Sequence, residues 1–417
     1  MIVCIMVSEK IVAELWRRQQ NIAFAADNGV LIHVIFPGRP SYGGGCDFTD
    51  SVFLSDGVTV RGKVEVHSRL QDWYTHGHDN DPRYNEVVLH VVMQFGNSPA
   101  RLFNGTIVPT ICLESVVPSA LSPLPVCDYA SGYRLQDLVA LLENEGYIRF
   151  LERASSVQEA CTTGDVDRVL LRNVASALGY ARNVRQFQRL VDALPPDIAH
   201  LSLSELMAVM FGIAGLLPSQ RHRCCGDRYS SDMEVIWRSN GYPSVLDAAD
   251  WCFSGVRPDN YPTRRIAALA HLLKRFGNRG MMEETCRLID TASLSNGHHC
   301  ELQFIVDGDE YWASHIDFGI NKSLRSSLLG GQRVRDMLVT VLLPCVYALS
   351  RRLSEKALRL YMSYPQHGDN EITRYMQQQF SIQGRLTACR QQGLIRLFKT
   401  YCRFRECLRC PVAISSG

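Results

Sequence analysis

Between Ser8 and Asn21, apolar Ile11, Leu15 and Trp16 fall on one helical face, with Ser8 placed to cap it, and this spacing predicts an amphipathic opening helix. The period then changes. LIHVIF is a β-type run stopped by the breaker segment PGRPSYGGG, and CDFTDSVFL alternates until Ser55, Asp56 and Gly57 supply a turn. VTVRGKVEVH alternates again, and VVLHVVMQF is a longer apolar run of the kind buried on both faces. The four strands are expected as edge, middle, middle and buried. SRLQDWYTHGHDNDPRYNE, between the last two, is too polar and too rich in turn residues for a strand and reads as a short helix followed by a loop. The order is α-β-β-β-α-β, and RLFNGTIVPTICLES is expected to add one more strand.

Pro118, Pro123 and Pro125 interrupt any periodicity in 117–131, which reads as a linker. Beyond it, segments such as RVLLRNVASALGYARNVRQFQRLVDAL and RRIAALAHLLKRF carry apolar residues at helical spacing. CELQFIVDGDEYWASHIDFG stands out as a β-hairpin turning at Asp307, Gly308 and Asp309. The expected class is mixed α+β or α/β. An α/β domain spans 8–116 and a helical domain spans 132–384, with its hairpin near 300–319. A basic, cysteine-bearing tail covers 385–417.

With 46% apolar residues in 417, the chain can bury full cores in two or three domains. No run reads as a membrane span, and MIVCIMV is too short and lacks a cationic flank, so a cytoplasmic protein with no membrane partner is expected. A net charge of +2 leaves nucleic-acid affinity to local clusters of Lys and Arg. Fifteen cysteines, an odd number without a signal peptide, point to reduced thiols rather than a disulfide framework, with Cys112, Cys161 and Cys286 read as small buried residues. GxxxxGK[ST] and G-x-S-x-G are both absent, which argues against nucleotide-triphosphate chemistry and a serine hydrolase.

Asp47 follows three glycines at the start of the second strand, and Glu65 and His67, two apart on the third, leave the same face. A hairpin across Asp56 and Gly57 would bring Asp47 beside them. Converging carboxylates suit a hard divalent cation, Mg²⁺, or Mn²⁺ once an imidazole joins. His76, His78 and Asp81 follow Trp73 as W-x-x-H-x-H-x-x-D, a spacing that carries ligand-type groups over the same place. The plainer alternative has the histidines and Asp81 capping their loop and Glu65 paired with Arg39 or Arg61, while His90 is read as a satisfied strand histidine.

This order of elements resembles the PD-(D/E)XK, or restriction-endonuclease-like, nuclease fold. GCDF would stand for its PD element, with Cys46 in the proline place, and VEVH for its triplet, with His67 in the lysine place. The resemblance implies a metal-dependent nuclease in which Asp47 and Glu65 hold the ion and His67 orients the attacking water or completes the coordination; the spacing of His76, His78 and Asp81 adds them to the expected catalytic set. A lysine gives a fixed positive charge, whereas a histidine titrates or ligates, so a catalytically inactive nucleic-acid or protein-binding module is the alternative. A metal-dependent hydrolase of a small molecule is a third reading. The blocks PGRPSYGGGCDF, VEVHSRLQDWYTHGHDNDPRYNEVVLHVV, GVRPDNYPTRRIAALA and YCRFRECLRC together resemble a bacterial domain family to which no function is assigned.

Cys402, Cys407 and Cys410 form C-x4-C-x2-C, whose last pair has the spacing that lets two thiolates meet one ion; the arrangement is similar in outline to nucleases of this fold that staple the chain end with an iron-sulfur cluster on C-terminal cysteines, and zinc is the competing ion. Cys389, one helix length upstream, is the nearest candidate for a fourth ligand; Cys345, Cys252 or a histidine are others. Arg396, Lys399 and Arg403 lie in a basic stretch interleaved with Phe398, Tyr401 and Phe404, a pattern suited to a phosphate backbone. Arg257, Arg264 and Arg265 flank two prolines ahead of a helix and are further candidates for nucleic-acid contact, or else pair with acids.

Overall fold

The computed structural model describes residues 9–114 apart from 20–21, 42–44 and 97, and residues 127–414 apart from 131–132, 163–164, 181, 197, 222–225, 254–255, 257, 278, 294–300, 323–324, 366–367 and 405. Ser8, Arg257 and most of the expected linker lie outside them. The chain divides into two units, neither of them continuous: Met1–Leu141 with Asn370–Gly384 and Leu394–Gly417, and Leu142–Asp369 with Arg385–Gly393.

In the first unit, α1 (Glu9–Arg17) leads into β1 (Ala23–Ala25), β2 (Leu31–Phe36), β3 (Arg39–Pro40), β4 (Phe48–Ser55) and β5 (Val58–Arg69). After α2 (Asp72–Thr75) and two 3₁₀ turns come β6 (Val87–Gln94) and β7 (Thr110–Cys112). Strand order is β1-β2-β4-β5-β6-β7, with β3 also on β4. Pairing is antiparallel from β1 to β5 and parallel from β5 through β6 to β7. The β4–β5 hairpin turns where expected, on positive φ at Asp56 (47°) and Gly57 (83°), the backbone of a tight hairpin turn. Sequence reading missed β1, whose three residues are too few to show a period, so β2 is an interior strand rather than an edge.

Strand alternation splits the core into two layers. Val64 and Val66 of β5 join Val12 and Trp16 of α1, Ile32, Phe53, Leu89, Val91 and Ile111 on one face. Trp73, Tyr84, Cys46, Leu102 and Val108 cover the other. Glu65 and His67 therefore point beneath that second cover, at 5% and 1% exposure. The indole of Trp16 donates to the Pro37 carbonyl at 3.0 Å and fixes α1 to the chain leaving β2.

The segment 385–417 is not a separate tail. Phe36 of β2 meets the rings of Tyr375 and Phe398 at 5.5 and 5.1 Å, and the Tyr375 hydroxyl donates to the Ile35 carbonyl. Residues on either side of the second unit thus complete the first.

The second unit is mainly helical, with Leu170, Phe187, Met210, Leu269 and Leu342 in one core. Its hairpin is displaced from the expected turn: β8 (His315–Asp317) pairs with β9 (Ile320–Asn321) around Phe318 and Gly319. Asp309 instead accepts from the Trp312 N–H at 2.7 Å, so its side chain starts a helical turn. Leu203–Gln220 has the length and apolarity of a membrane span, with 67% of it buried inside the protein. Its composition is that of a core helix.

Candidate metal centre

The site lies at the far end of β5 from the hairpin turn, and a β-bulge sets its register. Pairing slips from Ser51↔Gly62 to Phe48↔Val64, so β4 carries one extra residue, with Asp50 at φ 60°. Asp47 is thereby delivered against Glu65 and Val66. Its Oδ2 accepts from the Val66 N–H at 3.0 Å, and its own N–H donates to Glu65 Oε2 at 3.0 Å. Gly38 (φ 102°) makes the turn that precedes this loop, and Ser51 Oγ donates to the Pro37 carbonyl at 2.7 Å beside it.

His67 and His78 close on Glu65, and His76 adjoins His67. His67 Nε2 lies 3.1 Å from His76 Nδ1 and 3.2 Å from His78 Nε2, and Glu65 Oε1 lies 3.2 Å from His78 Nε2 and 3.9 Å from His67 Nε2. Among the described residues, His67, His76 and His78 are a group whose ligand atoms all lie within 4.8 Å of one another. Ligands about 2.1 Å from one ion stand about 3.0–3.4 Å apart in octahedral or tetrahedral geometry; the separations of 3.1 and 3.2 Å fall in that range, and Glu65 Oε1 to His67 Nε2 at 3.9 Å lies outside it.

The remaining ring contacts orient the cluster. His67 Nδ1 faces His90 Nε2 at 2.9 Å, and His90 Nδ1 faces Thr110 Oγ1 at 3.4 Å. With protons on both Nδ1 atoms, His90 donates to Thr110 and His67 donates to His90, which leaves the His67 Nε2 lone pair for an ion. The reading of His90 as a satisfied strand histidine fits this place. Tyr84 packs on His78 with ring centroids 3.9 Å apart, and Trp73 abuts His67, His78 and His90.

Burial and the neighbouring charge of Glu65 push the Asp47 carboxyl up to about 7. Burial, opposed by the Asp47 N–H and reinforced by Glu9, pushes Glu65 up to about 8. Burial and then the charges of His78 and His76 push His67 down to about 3, and burial lowers His78 and His90 as well. The protein thus disfavours both anionic acids and cationic imidazoles here. A bound cation would favour the anions and keep the rings neutral.

Glu9 escaped sequence reading. At the start of α1 it lies 3.9 Å from His76 Nδ1, and its charge raises both acids. It stands in the first helical turn, where an acid ordinarily complements the helix dipole, and no local pattern links it to β5. Neither structural pairing weighed for Glu65 is made. Arg39 lies 3.7 Å from Asp50, and Arg61 rests on the Phe404 ring.

Other expected site residues sit elsewhere. Asp81 caps the turn Pro82–Tyr84 through the Arg83 N–H and binds the Arg83 guanidinium, which holds its carboxyl below the usual range, so it serves the loop. Arg264 is wholly buried, and its guanidinium donates to the carbonyls of Trp312, His315 and Ser327 and to Ser326. Arg265 is turned to Leu328, Tyr180 and Asn260. Both are buried structural ties of the second unit, each with its Nε left without a hydrogen-bond partner. Lys399 is exposed and Arg396 and Arg403 are partly so, with the Arg403 guanidinium 4.5 Å from the Phe404 ring and that of Arg61 at 4.9 Å. Cys389 belongs to the second unit, its thiol directed at the Glu143 carbonyl and Met362.

No curated protein and no solved structure matches the chain. A family model described as protein of unknown function (DUF2851) matches residues 9–369, most of the sequence, and the chain belongs to that family.

Proposed function

We propose that the first unit is a divalent-metal-dependent nuclease, hydrolysing phosphodiester bonds of DNA or RNA on a core of the PD-(D/E)XK kind. The convergence of Asp47, Glu65, His67, His76 and His78 at one end of β5 carries this reading. An antiparallel β4–β5 hairpin that leads through a short helix to parallel β6 is the matching frame.

Glu65 and the three histidines would hold the ion, with Asp47 adjoining, and three nitrogens in the set favour Mn²⁺ over Mg²⁺. When bound, it supplies charge to a phosphate oxygen and lowers the pKa of water. The chain's own part is orientation. Thr110 and His90 fix the His67 tautomer, Tyr84 holds the His78 ring, and the Val66 N–H holds Asp47 toward the acid pair. His76 is the exposed member of the trio and borders the side open to a substrate. Arg61 and Arg403 set cationic groups against exposed Phe404 for a phosphate backbone.

The test is a panel of labelled single- and double-stranded DNA and RNA with the full-length protein and Mn²⁺ or Mg²⁺. Cleavage that disappears in Asp47→Asn and Glu65→Gln, with circular dichroism unchanged, supports the reading. Equal cleavage by the variants removes it. Salt-dependent binding without cleavage under every metal favours the inactive nucleic-acid-binding scaffold.

A further inference from the structure

The second unit holds a column of parallel rings. Tyr311 and His315 are four residues apart, and the turn that Asp309 starts brings their rings over one another, with centroids 3.8 Å apart and planes 9° apart. Tyr229, in the first turn of the helix Arg228–Asn240, lies on the other face of Tyr311 at 3.9 Å and 11°. Each ring is pinned by a polar atom. The Tyr311 hydroxyl donates to Asp227 Oδ2 at 2.5 Å and accepts from the Gly319 N–H at 3.0 Å. The Trp312 indole donates to the Tyr229 hydroxyl at 3.1 Å. His315 Nδ1 donates to the Tyr311 carbonyl at 2.8 Å, which fixes the orientation of the imidazole. The column is closed at one end, where Tyr229 meets the wholly buried Phe318 at 6.4 Å. At the other end His315 is partly exposed, and among the described residues no ring or guanidinium lies over its outer face. A cation is near in the chain. The Lys322 and Ser326 N–H groups donate to the carbonyls of Ser314 and Ala313 at 2.7 and 3.2 Å, so Arg325, between them, belongs to the segment beside the residues leading into His315. Arg325 is exposed and has no acid paired with it among the described residues, whereas Lys322 is paired with Asp259.

We infer that His315, backed by Tyr311 and Tyr229, is a platform on which one unpaired nucleobase of a single-stranded nucleic acid stacks, with Arg325 to meet its phosphate. The ring spacings of 3.8 and 3.9 Å come close to the roughly 3.4 Å step between bases along a strand, so a base on His315 continues a column already built. Rings that are pinned beforehand lose little freedom when another joins them. Histidine is among the side chains on which bases stack, and the contact tolerates any sequence because every base has a π face. A duplex keeps its bases stacked on one another, so the platform selects single strands. The inference takes its partner from the proposed function, but it concerns binding and is separate from cleavage.

The test is fluorescence anisotropy of labelled single-stranded DNA with the full-length protein in chelator. Wild type, His315→Ala and His315→Phe are compared on a normal strand and on a strand of abasic spacers of the same length. His315→Ala should weaken binding of the normal strand about tenfold, His315→Phe should keep it near wild type, and neither should change affinity for the abasic strand. Equal affinity of wild type and His315→Ala for the normal strand overturns the inference. So does a loss in His315→Phe as large as in His315→Ala, or a wild type that binds normal and abasic strands alike or binds neither. Should His315→Ala fail to fold, photocrosslinking of the wild type to a strand carrying iodouracil decides. Crosslinks are expected in the peptide that holds Tyr311 and His315, and crosslinks confined to other peptides overturn the assignment. Base-dependent binding through His315 without cleavage under Mn²⁺ or Mg²⁺ would remove the nuclease reading and leave the platform standing. Metal-dependent cleavage with strand binding untouched in His315→Ala would do the opposite.

Discussion

Replacing Glu65 by glutamine should stabilise the metal-free protein at alkaline pH, although it removes a residue of the candidate site. Glutamine keeps the shape of Glu65 and can still accept the Asp47 N–H, but it carries no charge into a position only 5% exposed. Burial carries the Glu65 carboxyl from an ordinary 4.5 up to about 8. A folded-state value above the unfolded one means the protonated acid is favoured by folding. The contribution is fully present below pH 4.5 and is lost as pH rises through about 8. At about 1.4 kcal/mol per tenfold, the span corresponds to about 4–5 kcal/mol, which the variant does not lose. Asp47, whose own rise has Glu65 as its second cause, relaxes downward in the variant and adds to the effect in the same direction. The assay is thermal or urea unfolding in chelator at about pH 5 and about pH 8.5, following the transition of the first unit. The variant should lie within about 1 kcal/mol of wild type at the lower pH and unfold distinctly later at the higher. Mn²⁺ should reverse the order at the higher pH, because only the wild type gains full binding energy. A wild type no less stable than the variant in chelator at the higher pH would refute the argument, since Glu65 would then ionise like a solvent-exposed acid.

Gly38→Ala should destabilise the first unit by about 2 kcal/mol or more, because φ is 102° and the new Cβ would stand 2.3 Å from Ser51 Oγ and 2.8 Å from the Thr49 carbonyl oxygen. Denaturant unfolding checks it, and loss of Mn²⁺ binding should accompany it as the bulge shifts. Arg264→Ala should cost about 3 kcal/mol or more by orphaning buried carbonyls, yet leave oligonucleotide affinity of the still-folded variant unchanged in a filter-binding titration. Arg403→Ala should do the reverse, weakening oligonucleotide binding across sequences and reducing the slope of log K against log salt by about one.

The hairpin that creates the site was legible because alternation on both sides of Asp56 and Gly57 fixes its register, and with it the shared face of Glu65 and His67. The loop histidines were legible as ligand-type residues close in sequence to that strand. Their actual convergence depends on α2 and on the cover of Trp73 and Tyr84, which spacing alone does not specify. Glu9 was missed because it reaches the histidine cluster through tertiary packing, from the opening helix. Arg264 and Arg265 misled because a basic pair after proline at a helix start looks like a phosphate site from sequence, while the fold turns both inward onto backbone carbonyls. The division of the chain was also hidden. Asn370–Gly384 and Leu394–Gly417 return to the first unit through contacts such as Phe36 with Phe398, which no linker or change of composition announces.

The central claim is that Glu65, His67, His76 and His78 share one cation, with Asp47 adjoining. Anomalous diffraction from crystals of the full-length protein soaked in Mn²⁺ tests it most directly. The account predicts a single strong peak within ligand distance of Glu65 Oε1, His67 Nε2 and His78 Nε2. Manganese found only elsewhere, or an undisturbed histidine cluster at saturating metal, would contradict it.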